Sequence, residues 1–271
     1  MTEYTLQSDL QLARQLADMA DSISLERFRA NDLLVTMKPD MTHVSDADKA
    51  VEAALRGALA DSRPGDGILG EEFGTETGSG DGSRQWIIDP IDGTANYVRG
   101  IPVWASLISL AVDGVPVVGV VSAPALRQRW WAARGQGAWT SEHVSETDRR
   151  ERRIFVSGVA DLSDASLSYN SLKGWDEHGQ LDRLIDLSRS VWRTRAYGDM
   201  WSYMMVAEGL IDVAGEFDLK PWDMAALVPI VEEAGGAFTS ATGIPGPWHG
   251  SAIATNGLLH EPVLDLLNRA G

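Results

Sequence analysis

DPIDGTANY, residues 89–97, follows a short apolar run from Trp86 to Ile88, which predicts a buried strand that stops at Asp89-Pro90. Pro90 fixes φ and forces a bend, and Asp92 with the following glycine forms a turn dipeptide. Two carboxylates three residues apart on such a bend can converge on one point, as the oxygen ligands of a hard divalent cation do. The same two acids could instead serve only a turn and a helix cap, and this segment alone leaves both interpretations open.

Gly93 and Thr94 come next and open a predicted helix. The free backbone N–H groups at the start of a helix, together with the helix dipole, form a site that suits an anion. A metal site and an anion site would therefore be neighbours along the chain.

Three further acids stand where they could join such a site. Glu71 lies at the predicted end of a strand, Asp223 follows Trp222 just before a predicted helix, and Asp48 follows a predicted helix cap at Ser45. Each has a structural alternative. Glu71 could be a solvated loop acid, Asp223 a helix cap and Asp48 an acid on a helix surface.

Bulk composition limits the function classes. The chain has 271 residues, 44% of them hydrophobic, so a sizeable core is expected and global disorder is not. A formal net charge of -16 argues against nucleic acid and anionic membranes as partners, because both bind basic protein surfaces. Such a charge suits an anionic substrate only if some carboxylates bind cations.

The chain contains no cysteine, which excludes disulfides, thiolate zinc sites and a cysteine nucleophile. The N-terminus is polar, without the features of a signal peptide, and the sequence has no apolar run long enough to span a bilayer. We therefore expect a cytoplasmic protein.

Helix and strand patterns alternate along the chain. Apolar residues recur at three- and four-residue spacing from Leu6 to Ala20, which predicts an amphipathic helix. Residues 37–44 read as a polar loop, and Asp113-Gly114 joins two apolar runs that predict a β-hairpin. This alternation predicts an α/β layered fold.

The second half alternates in the same way, and its predicted helix over residues 225–234 contains Pro229, which implies a kink or a later start. The mixed charge run over residues 142–153 is a candidate boundary, or else a solvated loop or helix face. The boundary would separate an N-terminal half, residues 1–148, that carries most metal ligands from a C-terminal half, residues 149–271, that completes the site.

The order of these motifs resembles the inositol monophosphatase superfamily. Gly-Glu-Glu stands at residues 70–72, Asp-Pro-Ile-Asp-Gly-Thr-x-Asn at 89–96 and Trp-Asp at 222–223, and the resemblance spans residues 38–236 or so. It implies a layered α-β-α-β-α sandwich of the inositol monophosphatase and fructose bisphosphatase type, usually a homodimer. It also implies Mg²⁺-dependent hydrolysis of a small phosphate monoester.

The resemblance further implies the roles of individual residues. Asp48 would pair with Thr94 to activate water, and the N–H groups of Gly93 and Thr94 would hold phosphate. Glu71 would count among both the catalytic residues and the metal ligands. Two or three Mg²⁺ ions would be bound by the side chains of Glu71, Asp89, Asp92 and Asp223 and by the carbonyl of Ile91.

Arg195, Asp199 and Glu216 are the predicted substrate contacts. Glu216 matches the acid that contacts the leaving alcohol in inositol phosphatases, whereas Arg-x-x-Gly-Asp, residues 195–199, resembles the bacterial histidinol-phosphate phosphatase branch of histidine biosynthesis. A pocket acid would pair with a cationic leaving group and do little for a neutral polyol. The alternative is that Asp199 caps the helix that follows it.

Two other functions stay open at this point. One is an inositol-1-monophosphatase or a broad-specificity sugar-phosphate phosphatase, which turnover of inositol 1-phosphate would distinguish. The other is a non-catalytic metal-binding regulatory protein. It is disfavoured because Asp48 and Thr94 are both present beside the four acidic ligands.

Overall fold

The computed structural model describes residues 4–39, 42–143 and 149–269. Helices and strands alternate along them. The described helices are Leu6–Arg27 (α1), Asp46–Ser62 (α2), Thr94–Val98 (α3), Leu172–Glu177 (α4), Leu181–Ser190 (α5), Asp199–Ala207 (α6), Pro221–Met224 (α7), Leu227–Glu233 (α8) and His260–Leu267 (α9). The described strands are Val35–Met37 (β1), His43–Ser45 (β2), Gly67–Gly70 (β3), Gly74–Glu76 (β4), Arg84–Asp92 (β5), Ala105–Val112 (β6), Val115–Ala123 (β7), Gln128–Ala133 (β8), Ala138–His143 (β9), Arg149–Ile154 (β10), Ser166–Ser168 (β11), Arg193–Arg195 (β12), Val213–Phe217 (β13), Ala237–Thr239 (β14) and Ser251–Thr255 (β15).

Two sheets and three groups of helices stack in five layers. The first sheet has the strand order β10-β9-β8-β7-β6-β5-β3-β4, and the second has the order β12-β11-β13-β15-β14. Helices α1 and α2 cover the outer face of the first sheet, α6 and α8 lie between the sheets, and α4, α5 and α9 cover the far face of the second. The structure thus confirms the α-β-α-β-α sandwich.

The sequences of the central strands are continuous apolar runs because both faces of each sheet are covered. Successive side chains of a strand point to opposite faces. In β6, Leu107 packs with the middle helices, whereas Ile108 packs with α1 and α2. In β13, Ala214 faces the middle layer and Val213 faces the outer helices of the second sheet.

Helices α1 and α2 begin where the sequence predicts. Thr5 caps α1 by accepting a hydrogen bond from Ser8 N. Ser45 caps α2 by accepting from the N–H groups of Ala47 and Asp48, so Asp48 lies in the first turn of that helix.

Two elements differ from the sequence predictions, and a third confirms one of them. Residues 37–44 are not only a loop, because Met37 pairs with His43 in the β1–β2 hairpin. Strand β5 does not stop at Asp89 but resumes pairing with β6 at Asp92. Helix α8 begins at Leu227, which confirms the later start that Pro229 implied. Pro229 thus lies in the first turn, where backbone N–H groups have no partner within the helix.

Strand β10 pairs with β9 at the edge of the first sheet, so residues 149–154 join a sheet that is otherwise formed by earlier residues. Residues 144–148 lie outside the described residues, and the division of the chain at 148 and 149 stays a prediction. Among the described helices, none combines the length and the apolar composition that a membrane crossing needs.

Candidate active site

A β-bulge near the end of β5 brings two aspartates together. Asp89 pairs with Leu107 and Asp92 with Ala105, so two residues of β5 stand opposite the single residue Ser106 of β6. Pro90 fits this position because it has no N–H to donate, and its carbonyl accepts a hydrogen bond of 2.7 Å from Ser106 Oγ. In a regular strand, side chains three residues apart point to opposite faces. The extra residue of the bulge turns Asp89 and Asp92 to the same side.

Asp223 adds a third carboxylate from the opposite side of the site. It lies in α7, and its Oδ2 accepts a hydrogen bond of 2.7 Å from Lys220 N. One oxygen from each of Asp89, Asp92 and Asp223 lies within 4.8 Å of the others. The cap residue of α7 is Lys220, so Asp223 is not itself the helix cap, and its carboxylate joins the cluster.

The electrostatics of this cluster suit a divalent cation. Burial, together with the neighbouring acids, raises the pKa of Asp89 and of Asp92 well above the usual carboxyl range. Burial raises the pKa of Asp223 to about 6, despite the hydrogen bond from Lys220 N. One buried and two half-buried carboxylates so close together disfavour one another's ionised forms, and a hard cation with oxygen ligands would stabilise those forms.

Glu71 adjoins the cluster and forms an ion pair with a lysine that the sequence did not single out. Its Oε1 lies 2.7 Å from Lys38 Nζ, which is also 2.7 Å from Oε1 of Glu72. Burial raises the pKa of Glu71 to about 7 even though Lys38 opposes the shift. Burial lowers the pKa of Lys38, but the hydrogen bonds to Glu71 and Glu72 outweigh it and the net shift is upward.

Asp48 and Thr94 meet across the site. Oδ2 of Asp48 accepts from Ser45 N at 2.8 Å and from Ser45 Oγ at 2.5 Å, which fixes the carboxylate. Oδ1 of Asp48 lies 3.2 Å from Thr94 Oγ1, which is also 3.0 Å from the carbonyl of Ile91. Burial raises the pKa of Asp48.

Gly93 makes the turn from β5 into α3. Its φ of +81° lies in the left-handed region, and an added Cβ would lie 3.0 Å from the carbonyl oxygen of Val103. The first described hydrogen bonds of this turn run from Asn96 N and Tyr97 N to Gly93 O. The N–H groups of Gly93 and Thr94 precede them and belong to the unpaired first turn.

Two cavities adjoin at the acidic cluster. One, of about 390 Å³, is lined by Glu71, Asp89, Ile91, Gly93 and Thr94, among others. The other, of about 380 Å³, extends toward Glu216 and Phe217. Asp92, Asp199 and Asp223 line both.

Asp199 and Glu216 place two more carboxylates in the second cavity. Asp199 begins α6, and its Oδ2 accepts a hydrogen bond of 2.7 Å from Asn96 Nδ2. The cap residue of α6 is Gly198, so Asp199 is not the helix cap. Oε2 of Glu216 lies 3.5 Å from the hydroxyl of Tyr203. Burial raises the pKa of Asp199 to about 6 and that of Glu216 to about 8.

Arg195 lies elsewhere. It ends β12 at the edge of the second sheet, is exposed, and donates from Nη1 to the carbonyl of Thr194 at 2.7 Å. Arg195 lines neither of the two cavities, so the structure does not bring it together with the other predicted substrate contacts.

The sequence matches the profile of the inositol monophosphatase family over residues 5–270. The chain belongs to the inositol monophosphatase family. Membership makes it a phosphoric monoester hydrolase.

Two curated members of the family are similar over nearly their whole length. A histidinol-phosphatase of Mycobacterium tuberculosis is 57% identical over 263 residues, covering 96% of this chain and 98% of the relative. A histidinol-phosphatase of Streptomyces coelicolor is 56% identical over 265 residues, covering 96% and 97%. Among solved structures, the extragenic suppressor protein suhB from Bartonella henselae superposes with a TM-score of 0.85 at 29% identity, covering 97% of this chain and 100% of that chain.

The site of this chain also contains residues whose roles the sequence patterns did not predict. Lys38 lay in a segment predicted as a polar loop, Asn96 closed the motif at 89–96 without an assigned role, and Tyr203 lay in a predicted helix. Their roles depend on partners 33, 103 and 13 residues away in the chain. The only signal for Lys38 was a lone basic residue upstream of a group of acids in an acidic chain.

Proposed function

We propose that this chain is a magnesium-dependent histidinol-phosphatase that hydrolyses L-histidinol phosphate to L-histidinol and phosphate. The choice of substrate rests on one observation, the pair of carboxylates, Asp199 and Glu216, in the cavity that adjoins the three clustered aspartates. The names and the identities of the two curated relatives support the same substrate.

The acidic cluster is the proposed metal site. Glu71, Asp89, Asp92 and Asp223 would hold two or three Mg²⁺ ions together with the carbonyl of Ile91, all of which line one cavity. Bound Mg²⁺ would supply Lewis acidity, which lowers the pKa of a bound water and neutralises the phosphoryl oxygens. Glu71 would release Lys38 when a divalent cation replaces the ammonium group.

Asp48 and Thr94 would activate the attacking water. Thr94 Oγ1 lies at hydrogen-bond distance, 3.2 Å, from Oδ1 of Asp48; in the attack it would take a proton from the water as its own hydroxyl proton passes to Asp48. Ser45 holds the other carboxylate oxygen of Asp48, so Oδ1 stays directed at Thr94. The N–H groups of Gly93 and Thr94 would orient the phosphate next to this water.

Asp199 and Glu216 would recognise the leaving group. L-Histidinol carries an ammonium and an imidazole, which can each be cationic. Burial raises the pKa of both carboxyls, and a cation beside them would favour their ionised forms. A neutral polyol offers no such compensation, so the two acids would select for a cationic substrate.

The second candidate is hydrolysis of inositol 1-phosphate, which the family description favours. Under either candidate we also propose a homodimer in the cytoplasm, with neither nucleic acid nor membrane as a partner, as the resemblance and the acidic composition suggest.

Kinetics with both substrates test the proposal. We expect a higher kcat/KM for L-histidinol phosphate than for inositol 1-phosphate. Asp199→Asn should lower kcat/KM on L-histidinol phosphate by about ten- to a hundredfold, since a charge-assisted hydrogen bond contributes roughly 1.5–3 kcal/mol and 1.36 kcal/mol is one decade. Asparagine keeps an oxygen for Asn96 and tolerates the φ of 47° at this residue, so the change removes mainly the charge.

The neutral substrate is the internal control, because a folding defect would lower both rates. Turnover of inositol 1-phosphate and glycerol phosphate by Asp199→Asn should stay near the wild-type rate. An equal loss on charged and neutral substrates would assign Asp199 a structural role and remove the main support for the substrate.

A further inference from the structure

Glu52 is a buried acid that contacts the chain directly after Glu71. It lies in the middle of α2 and is 0% exposed. Its Oε2 accepts a hydrogen bond of 2.7 Å from Glu72 N, and its Oε1 accepts one of 3.2 Å from Phe73 N. A buried carboxylate needs such partners, and backbone amides bind it in fixed directions.

Arg56, one turn later in α2, extends this contact to the rest of the β3–β4 hairpin. Its Nε donates to Oε1 of Glu52 at 2.8 Å, and its Nη2 donates to the carbonyl of Gly74. On the other side, the Glu52 carboxylate leaves no room for a Cβ at Gly70. The pair therefore binds the backbone after Glu71 by hydrogen bonds and packs closely against Gly70 before it.

We infer that Glu52 is a positioning residue for Glu71. This inference rests on the proposed function, in which Glu71 is a metal ligand. Helix α2 carries Asp48 in its first turn and Glu52 one turn later, so one rigid element fixes both the water-activating acid and the backbone of a metal ligand. Loss of the Glu52 contacts should loosen the direction in which Glu71 enters the cavity and weaken cation binding.

Calorimetric titration of Mg²⁺ into the metal-stripped full-length protein tests this inference. Glu52→Gln keeps the shape of the side chain but replaces one acceptor by an NH₂ group that cannot accept the amide proton. We expect the Mg²⁺ Kd to rise by about tenfold, the lower end of the effect of losing a group that orients a metal ligand. The Mg²⁺ concentration for half-maximal phosphate release should rise in parallel.

Asp66→Asn is the matched control. Asp66 is also a buried acid, bound by Trp86 Nε1 and by Arg84 Nε, each at 2.9 Å, but it lines neither cavity of the site. This variant should lose thermal stability without a change in the Mg²⁺ Kd, which separates positioning of the ligand from general stability.

A Glu52→Gln protein with the wild-type Mg²⁺ Kd would overturn the inference. If that variant does not fold, Glu52→Asp decides, because aspartate keeps the charge but is too short to reach the N–H groups of Glu72 and Phe73; unchanged Mg²⁺ binding there overturns the inference equally. Wild-type protein that neither binds Mg²⁺ nor hydrolyses phosphate monoesters would remove the proposed function and this inference together. An active, Mg²⁺-binding wild type with an unaffected Glu52→Gln would contradict the inference alone.

Discussion

The Thr94 hydroxyl has one proton and two acceptors within reach. Its Oγ1 lies 3.0 Å from the carbonyl of Ile91 and 3.2 Å from Oδ1 of Asp48. If the Ile91 carbonyl binds a metal, as we propose, the Thr94 hydroxyl donates its hydrogen bond to Asp48 instead. The Thr94 oxygen can then accept a proton from the attacking water.

Thr94→Ala should therefore lower kcat by about a hundredfold or more, the usual contribution of general acid–base catalysis, with little change in KM. Thr94→Ser, which keeps the hydroxyl, should recover most of kcat. Steady-state kinetics on L-histidinol phosphate measure both. A rise in KM alone for the alanine variant would instead assign the side chain to phosphate binding.

At the scale of elements, the turn from β5 into α3 fixes the site most tightly. Gly93 has a φ of +81°, and a Cβ added to it would lie 3.0 Å from the carbonyl oxygen of Val103, so no other residue fits there without strain. The bulge before it directs Asp89 and Asp92 to one place. This turn therefore places the metal ligands and the anion-binding N–H groups side by side.

Gly93→Ala should destabilise the protein by more than about 1 kcal/mol and should greatly reduce activity, because alanine at positive φ is strained. Gly57→Ala is the control. Gly57 lies exposed in the interior of α2 with open space around its Cα, where alanine should stabilise by roughly 0.5–1 kcal/mol. Urea unfolding and phosphate release compare the two, and a Gly93→Ala protein as stable and active as wild type would contradict the role of the turn.

The sequence predicted elements whose signals are local. The apolar spacing in α1, the Ser45 cap and the hairpin turn at Asp113-Gly114 each depend on residues within a few positions. The bulge in β5 could not be predicted, because it depends on pairing with β6. Pro90 instead indicated a strand end.

The same limit applies to the site. The motifs predicted the acids that line the first cavity, because the resemblance to the family fixes them by their order along the chain. Lys38 and Asn96 were given no role, since their acidic partners lie far away in the chain. Arg195 was predicted from the motif Arg-x-x-Gly-Asp, but it ends an edge strand and is exposed to solvent.

At the scale of the whole molecule, the site gathers acids from both sheets. Asp89 and Asp92 come from β5 of the first sheet, Glu216 comes from β13 of the second, and Asp199 begins a helix between them. The net charge of -16 is thus partly concentrated where the layers meet. Without cations, these buried acids should destabilise the fold once they ionise.

Glu216→Gln makes this effect measurable. Burial raises the pKa of Glu216 from 4.5 to about 8 in the folded protein, so the folded state holds this proton more tightly than the unfolded state does. The protonated carboxyl is tolerated at low pH, and stability falls as the pH rises between these values. Glutamine has no such loss, so the Tm of the metal-free variant relative to wild type should increase from pH 5 to pH 8.

We expect a relative gain of a few degrees, since 1 kcal/mol shifts the Tm of a domain of roughly this size by about 2–4 °C. Thermal unfolding in EDTA at both pH values gives the result. Added Mg²⁺ should reduce the difference by neutralising the neighbouring acids. The same Tm difference at pH 5 and pH 8 would mean that Glu216 is not held in its neutral form.

The most direct test of the whole account is phosphate release from L-histidinol phosphate by metal-stripped protein, measured against added Mg²⁺ for the wild type and for Asp92→Asn. We predict no turnover by the wild type without metal and saturable recovery with Mg²⁺. Asp92→Asn should stay about a hundredfold or more below the wild type at every Mg²⁺ concentration, because several kcal/mol of transition-state stabilisation depend on the metal site. Full turnover by either protein in EDTA would contradict the account.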